Sequence, residues 1–154
     1  MPTIVDLKEH LSFLPQYVEL RNRYVDLLLT TPVDPEETRK WLARQDVEIR
    51  CLIDDAIVLG SVILYLHRGG EVAFFVRTPG KGLASPLLQA IEQVARNREC
   101  TGVWAWVLLE NERARKAFLK AGYIVDGITE KLHQQVLRRG YILRKQLQST
   151  QTVN

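Results

Sequence analysis

Val76-Arg77-Thr78-Pro79-Gly80-Lys81-Gly82-Leu83-Ala84 leaves a run of strand-forming residues and enters one with helical spacing. Small residues at such a turn let a phosphate approach the main chain, and the first turn of the helix offers unpaired N–H groups and a partial positive charge. Glycines before a helix also make an ordinary turn, so this run by itself leaves two readings open, a phosphate cradle and a simple change of direction. Lys81 is either a charge-assisted contact to a bound anion or a solvated ammonium. A second segment, Asn111-x-x-Ala114-x-x-x-Phe118-x-x-x-Gly122-Tyr123, sets small and aromatic residues along one helical face behind a capping asparagine.

These segments depend on the elements that position them. Tyr17, Leu20, Tyr24, Leu27 and Leu28 recur at helical spacing and predict one helix over residues 15–29. Asp34 reads as the N-cap of a second helix, with Pro35 at its first position and Glu37 as capping partner, ending near residue 45. Strands follow at 48–53, 57–66 and 71–77, and the short turns between them mean an antiparallel meander. Leu87, Leu88, Ile91, Val94 and Ala95 mark the helix entered from the glycine turn. It acts as a crossover to a strand at 102–109, which makes that strand parallel to the 71–77 strand. A helix from Asn111 to the stop at Gly122 and two closing strands, 123–132 and 136–143, complete the order, with a short first strand at 3–5.

A length of 154 residues suits one domain with a real core, expected over 1–148, with a short polar tail at 149–154 that frays. The formal charge of +3 is spread along the chain rather than gathered into a basic block, so nucleic acid is not the expected partner. No apolar run approaches the ~20 residues needed to cross a bilayer, and no leader-like segment opens the chain. A cytoplasmic protein without a membrane partner is the expectation. Cys51 and Cys100 lack metal-ligand spacing, so no metal is expected and both read as reduced packing residues.

In that order, the strand, the Gly-x-Gly-x-Ala turn, the crossover helix, the parallel strand and the Asn111–Tyr123 segment resemble the GNAT superfamily of N-acetyltransferases over residues 48–143. Gly82 and Ala84 match the family's Arg/Gln-x-x-Gly-x-Gly/Ala signature, with Gly80 also in its usual place. Asn111, Ala114, Phe118, Gly122 and Tyr123 align with its Asn-x-x-Ala-x-x-x-Tyr-x-x-x-Gly-Phe segment. Gly60 stands in the third strand where many members have a glycine. The resemblance implies an α/β fold, a mixed and mostly antiparallel twisted sheet with a central parallel pair flanked by helices, and acetyl-coenzyme A as co-substrate. It further implies a V between the two parallel strands, where Phe74, Phe75 and Val76 face the pantetheine arm and the thioester carbonyl lies near the amide of Phe75 or Val76. Asn111 approaches the cofactor from the next helix, in addition to capping it.

Two departures alter these roles. Pro79 replaces the usual Arg or Gln and the approach from Val76 to Gly80 is shortened, which moves anion binding onto the backbone of Gly80, Gly82, Leu83 and Ala84. Phe118 occupies the place of a tyrosine often assigned as the acid that protonates the departing thiolate. Phenylalanine has no proton to give, so Phe118 serves either as a wall of the cofactor site or as helix packing. A Phe118→Tyr chain is expected to fold normally with at most a modest gain in rate.

The attacking amine must be neutral, which calls for a base or a water relay. Glu71 is the leading candidate, because some members place a glutamate early in this strand, with a solvated edge residue as its alternative. His67 and His133 are weaker candidates for the same task. The segments Leu20-Arg21-Asn22-Arg23-Tyr24 and Asp34-Pro35-Glu36-Glu37-Thr38-Arg39-Lys40-Trp41-Leu42 resemble acetyltransferases of nucleotide-linked amino sugars, and similar segments occur in ribosomal-protein acetyltransferases. There Arg21 or Arg23 would hold a diphosphate or carboxylate, Asn22 a sugar hydroxyl, and Tyr24 or Trp41 a ring face, against packing and solvation as the alternatives. The resulting expectation is acetyl transfer to a primary amine of a small molecule. A protein or peptide N-acetyltransferase and a non-catalytic coenzyme A-binding module stand as alternatives, and the exposed strand ends are compatible with a homodimer.

Overall fold

The computed structural model describes residues 1–147 and opens on a short strand, β1 (Thr3–Asp6). The tail expected at 149–154 lies outside the described residues. The single helix expected over 15–29 is divided into α1 (Leu14–Asn22) and α2 (Val25–Leu28). At the break, the amides of Arg23 and Tyr24 bond three residues back, to Leu20 and Arg21, and Tyr24 leaves the helical region at φ −113° and ψ 14°. The kink is compensated by a long-range bond, since the Tyr24 hydroxyl donates to the Val76 carbonyl. Periodicity does not register such a break, because the apolar spacing on its two sides stays nearly in phase.

Helix α3 (Pro35–Leu42) begins as its residues dictate. Asp34 Oδ1 accepts from the Glu37 amide at 2.8 Å, and the helix ends at Leu42, somewhat before the expected residue 45. The meander follows as β2 (Val47–Asp54), β3 (Ile57–Tyr65) and β4 (Glu71–Val76), then the crossover helix α4 (Ala84–Asn97) and β5 (Gly102–Leu108). Helix α5 (Glu112–Lys120) and the hairpin β6 (Ile124–His133) and β7 (Val136–Gln146) close the fold. The seven strands lie in the order β1-β2-β3-β4-β5-β7-β6, antiparallel throughout except for the parallel pair β4–β5. This is the α/β architecture expected from the sequence.

Alternation along the strands divides the core between the two sheet faces. Val62, Leu64 and Val72 pack with Leu87, Leu88 and Ile91 of α4 on one face. Ile49, Cys51, Ile63 and Phe75 pack with Tyr17, Val18 and Leu42 on the other. Gly60 lies beneath Leu87 of α4, and a Cβ there would lie 2.9 Å from the Phe75 carbonyl oxygen and 2.9 Å from Leu87 Cδ1. Gly60→Ala is therefore expected to destabilise by about 1–3 kcal/mol through overpacking, read as a lower denaturation midpoint at unchanged slope. Among the described residues no helix is long and apolar enough to cross a membrane.

Candidate active site

Strands β4 and β5 touch in register only at Glu71 and Trp104 and then diverge. Beyond that point the β5-facing edge of β4 is left unpaired, which opens a V toward the glycine turn. A groove of about 540 Å3 fills it, lined by Phe74, Phe75 and Val76 on the strand side and by Pro79, Gly80, Gly82, Leu83 and Ala84 at the turn. Gly80 and Gly82 have φ of 81° and 70°, so both depend on glycine's freedom in the left-handed region. Leu83 precedes α4 and no side chain caps this helix end, which leaves its first amides facing outward. Lys81 is exposed and does not line the groove.

The opposite wall belongs to α5. Asn111 caps it, its Oδ1 accepting from the Ala114 amide at 3.3 Å, and also lines the groove with Ala114 and Ala117. Arg113 and Lys116 line it too. Sequence reasoning passed over these two cations, although their three-residue spacing beside Asn111, Ala114 and Ala117 places them along the same wall. An elongated groove with an apolar floor, free backbone donors at one end and cations on one wall fits a phosphate-bearing acyl carrier.

A second cavity, of about 390 Å3, continues along β4 in the other direction, and Leu28 lines both. Trp41, Tyr65 and Trp106 wall it, with Arg68, Glu71 and Lys131 at its charged end. Glu71 is only 8% exposed. Its carboxylate lies 3.3 Å from Arg68 Nη1 and 3.8 Å from Lys131 Nζ. Both cations also sit over aromatic rings, Arg68 over Tyr65 at 4.3 Å and Lys131 over Trp106 at 4.5 Å. Trp106 is fixed in turn by its Nε1 donating to Thr129 Oγ1 at 3.0 Å, and its ring fits only because Gly140 beneath it has no side chain. Tyr65, Arg68, Trp106 and Lys131 come from four separate elements, so no local pattern announces them.

The remaining residues expected at the site are placed differently. Arg21 lines the second cavity, but its guanidinium donates to the Thr31 carbonyl at 2.9 Å and to Thr30 Oγ1 at 3.0 Å. Asn22 lines neither cavity, because its amide exchanges two bonds with the Val33 backbone, at 2.8 and 3.0 Å. Both hold the loop between α2 and α3. Tyr24 lines the first groove rather than the second cavity. His67 sits beside Asp46, and neither it nor His133 lines either of these two cavities. Cys51 and Cys100 are unpaired, and burial pushes the Cys51 thiol up to about 11.

Phe118 lies behind the groove. It is buried, with its ring 5.2 Å from Phe74 and 4.8 Å from Tyr123, both edge-on. Packing, the plainer of its two sequence readings, is what this geometry favours. The burial also revises the expected outcome for Phe118→Tyr: a hydroxyl placed among these rings is expected to cost about 1–3 kcal/mol with no gain in rate, measured by thermal melts beside initial rates.

A seven-stranded sheet with this V, an uncapped glycine turn and a capped asparagine helix defines an acyltransferase-type site. The family description "Acetyltransferase (GNAT) family" matches residues 15–123, and the chain belongs to that family. Solved structures of the same fold include yncA from Salmonella typhimurium with its cofactor acetyl-CoA, at 18% identity and TM-score 0.83 over 96% of this chain and 94% of that one. A phosphinothricin acetyltransferase from Sinorhizobium meliloti in complex with acetyl-CoA shares 14% identity, TM-score 0.80, over 99% and 92%. The ribosomal-protein-alanine N-acetyltransferase of Brucella melitensis shares 19%, TM-score 0.81, over 94% and 99%. Among curated proteins, reverse gyrase 2 of Aeropyrum pernix is 34% identical over 65 residues, which is 42% of this chain and 5% of that protein. Acetyl-CoA is thus the co-substrate of the family this chain belongs to, and its groove suits that molecule.

Proposed function

We propose that this chain transfers the acetyl group of acetyl-CoA to the primary amine of a small molecule that also carries an anionic group. The observation that carries the reading is the meeting of the two cavities end to end along β4, with Leu28 at the junction. Acetyl-CoA supplies an activated thioester. Gly80, Gly82, Leu83 and Ala84 would offer backbone donors to its pyrophosphate, Asn111, Arg113 and Lys116 would line its path, and the free edge of Phe74, Phe75 and Val76 would align the arm and polarise the carbonyl. The amine would enter from the second cavity, and Glu71 would take its proton through water.

The dimensions of the second cavity favour a small acceptor over a peptide chain. Among its described lining residues, three cations, Arg21, Arg68 and Lys131, face two carboxylates, Glu37 and Glu71, so an acceptor with a carboxylate, phosphonate or phosphate beside its amine fits the charge. The engagement of Asn22 and Arg21 with the α2–α3 loop weakens the particular contacts suggested for a nucleotide-linked amino sugar. Thiol release from acetyl-CoA, followed across anionic small amines, nucleotide amino sugars and peptides with free N-termini, tests this. Turnover confined to peptides would overturn the small-molecule reading, and binding without turnover on any amine would favour a non-catalytic module.

A further inference from the structure

Among the described residues that line the first groove, Tyr24 is the one phenol. We propose that Tyr24 is the proton donor to the departing coenzyme A thiolate. The proposal rests on the acetyl-transfer reading above and gives Tyr24 a task on the donor side, away from the acceptor. Three observations converge on it. Its ring stacks on Phe75 with centroids 6.0 Å apart and planes 24° apart, at the stretch of β4 proposed to face the thioester. Its hydroxyl reaches the β4 backbone, donating to the Val76 carbonyl, and so lies at the floor of the V. The chain breaks between α1 and α2 at this residue, which brings the ring over the strand.

The other polar groups of the groove are poorer donors. Arg113 does not give up a proton in proteins, Asn111 offers only an amide and Thr78 only a weakly acidic alcohol. Lys116 stands on the far wall with α5. Phe118 is buried and carries no proton. Tyr24 is faced by Arg23 from its own segment and by Arg113 from α5, while Phe75 and Val76 bring no charge. Burial raises its phenol above the usual range and these two cations oppose the rise in part, so the proton is in place at neutral pH.

The step balances. The amine nitrogen bonds the acetyl carbon, the C–S bond breaks with its electron pair on sulfur, and the Tyr24 hydroxyl gives its proton to that sulfur. The amine nitrogen sheds its one proton to Glu71 through water, and the phenolate recovers that proton from Glu71 by the same water path, leaving an amide and a thiol. The Tyr24 O–H turns from Val76 because a bond to a developing anion is stronger than one to a neutral carbonyl.

Tyr24→Phe keeps the stacked ring and removes only the hydroxyl. The expected result is a fall in kcat of about 100-fold or more, with acetyl-CoA affinity measured calorimetrically without acceptor within about two-fold of wild type. Incorporating a ring-fluorinated tyrosine at position 24 supplies a second readout, because its phenol is more acidic and its fluorine resonance titrates directly. The alkaline limb of kcat is expected to move to lower pH together with that resonance. An unchanged kcat in Tyr24→Phe overturns the proposal, as does weakened acetyl-CoA affinity at unchanged kcat, which would make Tyr24 a tie between helix and strand. A kinetic limb that stays fixed while the resonance titrates overturns it as well. Failure of the wild type to bind acetyl-CoA or release thiol would instead overturn the reading beneath, and the proposal with it.

Discussion

Glu71→Gln is expected to lower kcat by about 100-fold or more while leaving acetyl-CoA affinity within about two-fold. The residue opens β4 at the single point where the two parallel strands still touch, and its carboxylate faces the second cavity. Glutamine preserves its volume and loses its ability to accept a proton, so packing and chemistry are separated. Side chains two apart share a face, which sets Glu71 with Ala73 and Phe75. At the rise of a strand, Glu71 is about 13 Å from Phe75 along β4, a distance that requires a water relay. Steady-state kinetics beside calorimetry decide the matter, since wild-type kcat in the variant would leave Glu71 only as counter-ion to Arg68 and Lys131.

The same substitution has a pH signature in stability. Burial holds the Lys131 ammonium below its usual range, and Glu71 pulls it partly back while Arg68 pushes it further down. Without Glu71 it drops further. Between that lowered value and the ordinary lysine range the unfolded chain binds more protons than the folded one, so stability rises with pH. Glu71→Gln therefore melts with a steeper gain toward alkaline pH than wild type, and the window of that gain opens at lower pH. Parallel melting curves that differ by a constant offset would count against the Lys131–Glu71 coupling.

The second large effect concerns the glycine turn. Gly82→Val is expected to weaken acetyl-CoA binding by about 100-fold, equivalent to about 2.7 kcal/mol, while the far-UV spectrum stays that of wild type. Nothing lies within 4 Å of a Cβ at Gly82, so the substitution does not clash; its penalty is conformational, because φ of 70° is a region that β-branched residues avoid. The turn relaxes and its amides no longer converge. Lys81→Ala is the matched control, expected to change affinity less than about three-fold because Lys81 stands outside the groove lining. Equal losses in the two variants would move the anion contact from the backbone to the lysine.

Much of the fold is legible because its signals are local. Asp34 and Asn111 accept the amide bonds that caps accept, Gly122 ends α5 at a φ of 98°, and the strand runs lie within a residue or two of their expected bounds, except that β7 runs on from the expected Leu143 to Gln146. The α1–α2 break is not local, since it is stabilised by a hydroxyl reaching a carbonyl 52 residues away. The Gln134-Gln135 turn of the last hairpin likewise adopts left-handed φ without a glycine to announce it, although the strand patterns on either side mark its position. Arg21, Asn22 and Tyr24 lie within four residues of one another, yet the fold sends them to a loop tether, a second loop tether and the groove. Residue type and spacing put all three forward without distinguishing these destinations.

The sequence by itself determined the order of the strands and of the helices from Asp34 onward, the parallel crossover and the glycine turn at its start, because periodicity, caps and breakers act over a few residues. It also determined that position 118 has no proton to offer. Only the tertiary structure decided that β4 and β5 part after a single register pair, that Arg68, Glu71 and Lys131 converge from different elements, and that Phe118 lies behind the groove while Tyr24 lines it with its hydroxyl bonded to the Val76 carbonyl. The physical reason is that burial, charge pairing and the divergence of two strands are set by residues far apart in the chain, whose meeting no local pattern encodes.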